Sequence, residues 1–173
     1  MWFPAVLFAI LIIGATESAA QSQPPTFGAR SYTSIDAAWQ RAAFAVDAKA
    51  VGTPLIACGR DPEIPDMASV CKLTLQDVTA RIGGRDARGG YAIEGAMIEG
   101  RTDRLDALLA VVEIVAAMLE PAYASHPRRG RVRPLVATQT GSADTVCRAF
   151  IMAAPIDART VRVIITPASS PVC

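Results

Sequence analysis

Four cysteines, a single histidine and a run of four arginines are the side chains of this sequence whose types and spacing could do chemistry. Cys58, Cys71, Cys147 and Cys173 could bind a metal, act as thiolates or pair with one another. Metal binding needs CxxC-like spacing with histidine partners, and the sequence offers neither, so no metal and no cofactor are expected. An even number of cysteines in an oxidising compartment favours two disulfides. Four cysteines allow three connectivities. Proximity along the chain favours Cys58 with Cys71 and Cys147 with Cys173, each pair bracketing a local segment. Each bridge would add roughly 2–4 kcal/mol by restricting the unfolded chain. His126 stands alone in its type, so any Ser-His-Asp arrangement must use it, and no carboxylate near it in sequence orients the ring.

A thiol enzyme would need Cys147 as a thiolate, a role that pairing in a disulfide removes. The Cys147-Arg148 dipeptide resembles that of the L,D-transpeptidases in those two residues alone, without the small-residue and glycine context that precedes their nucleophile. Glu94 and Glu99 lie on one expected strand, where their odd separation places them on opposite faces, against a paired-carboxylate mechanism. Glu99 and Asp103 could instead converge where strand meets helix. No Walker or Rossmann glycine motif is present, and no catalytic residue is assigned.

The arginine run is the most distinctive stretch. Arg128, Arg129, Arg131 and Arg133 fall within six residues between Pro127 and Pro134, which favour extended backbone and would splay the guanidinium groups along an acidic partner or anionic headgroups. No aromatic residue interleaves with them, and a nucleic-acid platform usually supplies stacking rings, so nucleic acid is not expected. The plainer alternative is a solvated loop partly paired to an acidic helix stripe. A second basic element, carrying Arg85 and Arg88, is the loop from Gly83 to Gly90, a glycine-flanked hairpin tip that could act as a partner-contacting finger.

These residues need elements to position them. Met1 to Gly14 carries no charged side chain and has the length of a signal h-region; Ser18 and Ala20 are small residues at the positions a signal peptidase reads. Residues 1–20 are therefore expected to be a signal peptide, 21–33 an extended leader and 34–173 a single domain. The n-region has no Lys or Arg, so retention as a membrane anchor is the alternative; with cleavage, the protein is not an integral membrane protein. Cleavage removes Glu17 and no basic residue, raising the net charge from +1 to +2.

Thr33 or Ser34 would cap a first helix bearing Ile35, Trp39, Ala42 and Val46 at helical spacing, with Gly52 and Pro54 as stop signals. Thr53 to Met67 reads as a loop. Alternation from Cys71 to Ile82 reverses phase near Gln76 and Asp77, suggesting one strand with a bulge, and Tyr91 to Glu99 reads as its partner. Thr102 would cap the strongest helix, Asp103 to Glu120, whose Asp103, Asp106, Glu113 and Glu120 fall on one stripe expected to face solvent, or else to dock a basic partner or the protein's own arginine-rich loop. Arg131–Gln139, Thr145–Ala153 and Thr160–Thr166 read as three strands.

The expected fold is therefore α+β: two helices packed on an antiparallel sheet of about five strands, in the order helix, two strands, helix, three strands, with two disulfides. The two halves could reflect a duplication, but their residues do not match well enough to claim one. At 173 residues the chain suits one domain, and 51% hydrophobic content against 19% charged argues against disorder. With near-zero net charge, no global field points to nucleic acid or acidic substrates. The functional expectation is a periplasmic or secreted, disulfide-stabilised bacterial binding module contacting a protein or an anionic envelope component. The alternatives are a small envelope hydrolase or transferase, and an enzyme inhibitor presenting the 83–90 loop.

Overall fold

In the computed structural model, residues 26–27, 29–30, 35–62, 69–87, 90–138, 141–169 and 173 are described. Alternation builds a sheet from them. In β3 (Ser69–Leu75), Cys71 and Leu73 are buried while Lys72 points away; in β4 (Val78–Ala87), Val78, Ala80 and Ile82 share the buried face. The same rhythm runs through β5 (Gly90–Arg101), β7 (Ala149–Pro155) and β8 (Thr160–Pro167). With β2 (Leu55–Gly59) and β6 (Ser142–Val146), the order across the sheet is β2-β3-β4-β5-β8-β7-β6, and every neighbouring pair is antiparallel. A two-residue strand β1 (Ala29–Arg30) pairs with the start of β5, so part of the expected leader belongs to the sheet.

One face of the sheet carries the helices α1 (Ile35–Ala45), α2 (Leu105–Leu119) and α3 (Val132–Ala137). The class is α+β as expected, with more strands and one more helix. Trp39 is fully buried and donates from Nε1 to the Gly52 carbonyl at 3.0 Å, fastening α1 to the segment before β2. α2 is apolar around most of its circumference, and it is correspondingly buried along nearly its whole length, from Leu108 to Leu119. A 3₁₀ turn, Thr102–Arg104, precedes it, so Thr102 does not cap α2 directly. The proposed cap of α1, Thr33 or Ser34, lies outside the described residues.

Four expectations are corrected. The phase reversal at Gln76 and Asp77 is a tight turn, not a bulge: Leu75 pairs with Val78, and Gln76 has φ +53°. The strand expected over Thr145–Ala153 is likewise a hairpin, with Val146 opposite Ala149 and Cys147 at φ +56° in the turn. The Thr53–Met67 segment contains β2. The strand expected over Arg131–Gln139 is largely α3, because Val132, Leu135 and Val136 fit the i, i+3, i+4 spacing of a buried helical face; Pro134 sits in its first turn, where no helical N–H bond is lost.

Both favoured disulfides are present. Cys58 and Cys71 are direct cross-strand partners, with Cα atoms 4.0 Å apart, and Cys147 joins Cys173 with Cα atoms 4.4 Å apart. The pair of bridges fits an oxidising, extracellular environment. No helix among the described residues is long and apolar enough to cross a membrane, and residues 1–20 lie outside them.

Candidate functional site

The face of the sheet opposite the helices carries the assembled site. Register sets side chains in a row across all seven strands: Ala57, Lys72, Arg81, Met97, Ile164, Met152 and Ala143, each the cross-strand partner of the next. Beside it runs a second row, Thr79, Glu99, Arg162 and Ala154. Residues distant in the chain thus form a continuous strip, with Met97, Ile164 and Met152 as its apolar centre.

A register shift gives the strip relief. Gly83 pairs with Gly95 and Gly84 with Ile93, leaving Glu94 as an extra residue on β5. The glycines are needed there: a Cβ on Gly84 would collide with the Ala92 carbonyl, and one on Gly95 would stand 2.6 Å from the Ile165 carbonyl oxygen. Above them is a cleft of about 460 Å³, floored by Gly83, Gly95, Met97 and Ile164 and walled by Arg81, Glu94, Glu99 and Arg162. The bulge also corrects the expectation for the two glutamates. Glu94 and Glu99 line the same cleft, because the extra residue reverses the alternation between them.

Every charge on these walls is paired. Arg162 donates from Nε to Glu99 Oε1 at 2.8 Å and from Nη2 at 2.6 Å. Arg81 Nη1 reaches Glu99 Oε2 at 3.5 Å, and its Nε donates to Asp61 Oδ2 at 3.1 Å. Arg85 pairs with Glu94. Arg81 is only 8% exposed, and its described carboxylate partners, Asp61 and Glu99, compensate a charge largely withdrawn from water. Both oxygens of Glu99 are thus engaged by guanidinium groups, Oε1 by Arg162 and Oε2 by Arg81. Asp103, the other candidate partner of Glu99, is instead bonded to Arg101 at 2.6 and 2.9 Å; that bond holds its carboxyl below the usual range.

The arginine run is placed elsewhere, on the helical side. Pro127–Arg131 forms a 3₁₀ turn leading into α3, not an extended loop. Arg129 Nη2 donates to the Val46 carbonyl at 2.8 Å and to Glu113 at 2.5 Å, and the Glu113 bond raises its pKa further. Arg133 meets Asp106 at 2.8 Å and Arg131 approaches Asp144 at 3.8 Å. Arg128 has no acidic partner among the described residues. Two arginines of the run are therefore tied to the acidic stripe of α2, and that stripe is not a free solvent face: Glu113 is half-buried and Glu120 only 7% exposed. Glu120 also approaches Arg148 at 3.7 Å and accepts the Ala122 N–H.

His126 accepts the Arg128 N–H on Nδ1 at 3.2 Å, capping the turn. Beneath it in the chain, Tyr123 is fully buried with its hydroxyl unpartnered among the described residues; burial, then the nearby Glu113 charge, pushes its pKa well above the ordinary phenol value. The expected 83–90 tip is mostly ladder, paired through Arg85, Asp86 and Ala87, and Arg88 lies outside the described residues. Arg85 and the 128–133 run thus occupy opposite sides of the sheet. No group of three or more metal-ligating side chains occurs among the described residues.

Sequence reasoning missed Arg81, Met97, Arg162 and Ile164. Their signal was the outward phase of three strands read together, and it appears only once strand order and register are known. No protein-family model matches the chain, and no similar curated protein or solved structure was found.

Proposed function

We propose that the protein is a binding module of an oxidising, extracytoplasmic compartment that seats part of a protein partner in the cleft over β4, β5 and β8. The observation that carries this reading is the apolar centre Met97, Ile164 and Met152 on a sheet face that no described element covers, walled by charges already neutralised in place. Paired walls favour a neutral, partly apolar group over a charged one, since a free ion would compete with contacts already made. The cleft volume lies in the range of ordinary ligand sites.

A second reading keeps an anionic envelope component on Arg128, Arg131 and Arg133; the side chains of the last two are 64% and 65% exposed, and such exposed pairs hold weakly. Less supports the alternatives. A hydrolase would need His126, whose Nδ1 is engaged by a backbone N–H, or a carboxylate pair, and Glu94 and Glu99 are each tied to arginines; an inhibitor would need a free 83–90 loop, which is ladder as far as Ala87.

The test is photocrosslinking in the native compartment from a reactive residue at Thr166, on the cleft, and separately at Arg131. The captured partner's affinity is then measured on purified variants. Met97→Glu is expected to weaken it at least tenfold, while Arg128→Glu with Arg131→Glu leaves it unchanged. The reverse pattern transfers the function to the arginine turn.

A further inference from the structure

At the far edge of the sheet, β2 reads Leu55-Ile56-Ala57-Cys58-Gly59, and no described strand pairs with its outer side. Exposed sheet edges normally carry a lysine, a proline, a bulge or another charge that discourages a further strand. β2 has none of these, and Leu55 leaves 77% of its surface to solvent. The Cys58–Cys71 bridge locks this strand to β3 at matched register, keeping its outer backbone groups in place as a template.

Among the described side chains beside that edge, two cations have no acidic partner. A trench of about 350 Å³ runs along β2 on the uncovered face, lined by Ala57, Gly59, Arg60, Asp61, Lys72 and Arg81. Asp61 is taken up by Arg81. Arg60 and Lys72 are exposed and have no acidic partner among the described residues. Lys72 lies directly across from Ala57, whose small side chain leaves the approach from the edge open, and no described atom stands within 4 Å of the space a Cβ on Gly59 would fill.

From these observations we infer that the β2 edge accepts an extended segment of another polypeptide as an added strand, with an acidic side chain of that segment passing over Ala57 to Lys72 and Arg60. Backbone hydrogen bonds would supply the affinity and the trench the selectivity. The trench shares Arg81 with the cleft over β4, β5 and β8, but the added strand would pair with β2, and the inference stands whether or not that cleft is occupied.

The probe is a pair of capped peptides, Thr-Val-Glu-Val-Thr and the same sequence with lysine at the centre, titrated into the isotope-labelled, disulfide-intact chain while backbone amide resonances are followed. The glutamate peptide is expected to shift the amides of Leu55–Gly59 saturably, and the lysine peptide to bind at least tenfold more weakly. Lys72→Glu is exposed and should fold normally; it is expected to invert that preference, whereas Met97→Glu in the cleft leaves it unchanged. Equal response to both peptides, shifts centred outside β2, or none up to millimolar peptide would overturn the inference. So would β2 amides that move on simple dilution of the chain, which would assign the edge to a second copy.

Discussion

Two sets of arginines serve opposite purposes in this molecule. Those at 128–133 stand out in the sequence and yet are partly consumed in holding the turn against α2, Arg129 by Glu113 and the Val46 carbonyl and Arg133 by Asp106. Arg81 and Arg162, more than eighty positions apart, look unremarkable in the chain and are brought by register onto either side of Glu99. Density along the sequence therefore misleads about where charge is organised. What matters is whether the backbone brings carboxylates to meet the guanidinium groups, and how far water is excluded when it does.

The contrast can be broken by substitution. Glu99→Ala should do most harm, since it strips one partner from the nearly buried Arg81 and the main partner from Arg162; about 3 kcal/mol lost in urea unfolding is expected. Adding Arg81→Met to that variant should recover part of the loss, and a further decline would mean that Arg81 contributes mainly by packing. Arg129→Ala removes bonds to a half-buried carboxylate and a backbone carbonyl, and about 2 kcal/mol is expected from the same measurement.

Tyr123→Phe should act in the other direction. Deleting a buried hydroxyl that has no described partner is expected to raise stability by about 1 kcal/mol, read as a higher midpoint in thermal unfolding; a lower midpoint would mean that the hydroxyl is satisfied after all. Smallest of all, Arg128→Gln combined with Arg131→Gln should change stability by less than about 0.5 kcal/mol, because both side chains are exposed. A large loss there would erase the distinction between the two sets.

The fold class and the disulfide pairing were legible because they rest on local information: alternation, helical spacing and short cysteine separations. The two hairpins at Gln76 and Cys147 were not. Each places a non-glycine residue at positive φ, and a chain without asparagine lacks the usual marker for such turns, so the change of phase looked like a bulge or an uninterrupted strand. The true bulge, at Glu94, was hidden for the complementary reason, since glycines beside it blank the alternation where it would have shown. α3 was missed because six residues can satisfy a period of two and a period of 3.6 at once. The cleft depends on the Gln76 turn, which separates β4 from β3, and on the Glu94 bulge, together with the pairing of β5 with β8, which is why its residues were out of reach.

The strand order also governs how the molecule comes into being. β2 to β5 form one meander and β6 to β8 another, each built from neighbours in the chain, but the seam between them joins Ala96–Arg101 to Thr160–Ile165. Until β8 arrives, the side of β5 that it will cover has no partner along that stretch, and half of the cleft does not exist. Assembly is thus expected to be paced by the docking of two preformed hairpin stacks across a long chain separation, a slow step for a protein of this size. The backbone edge of β5 along that seam is therefore the last part of the sheet expected to be covered.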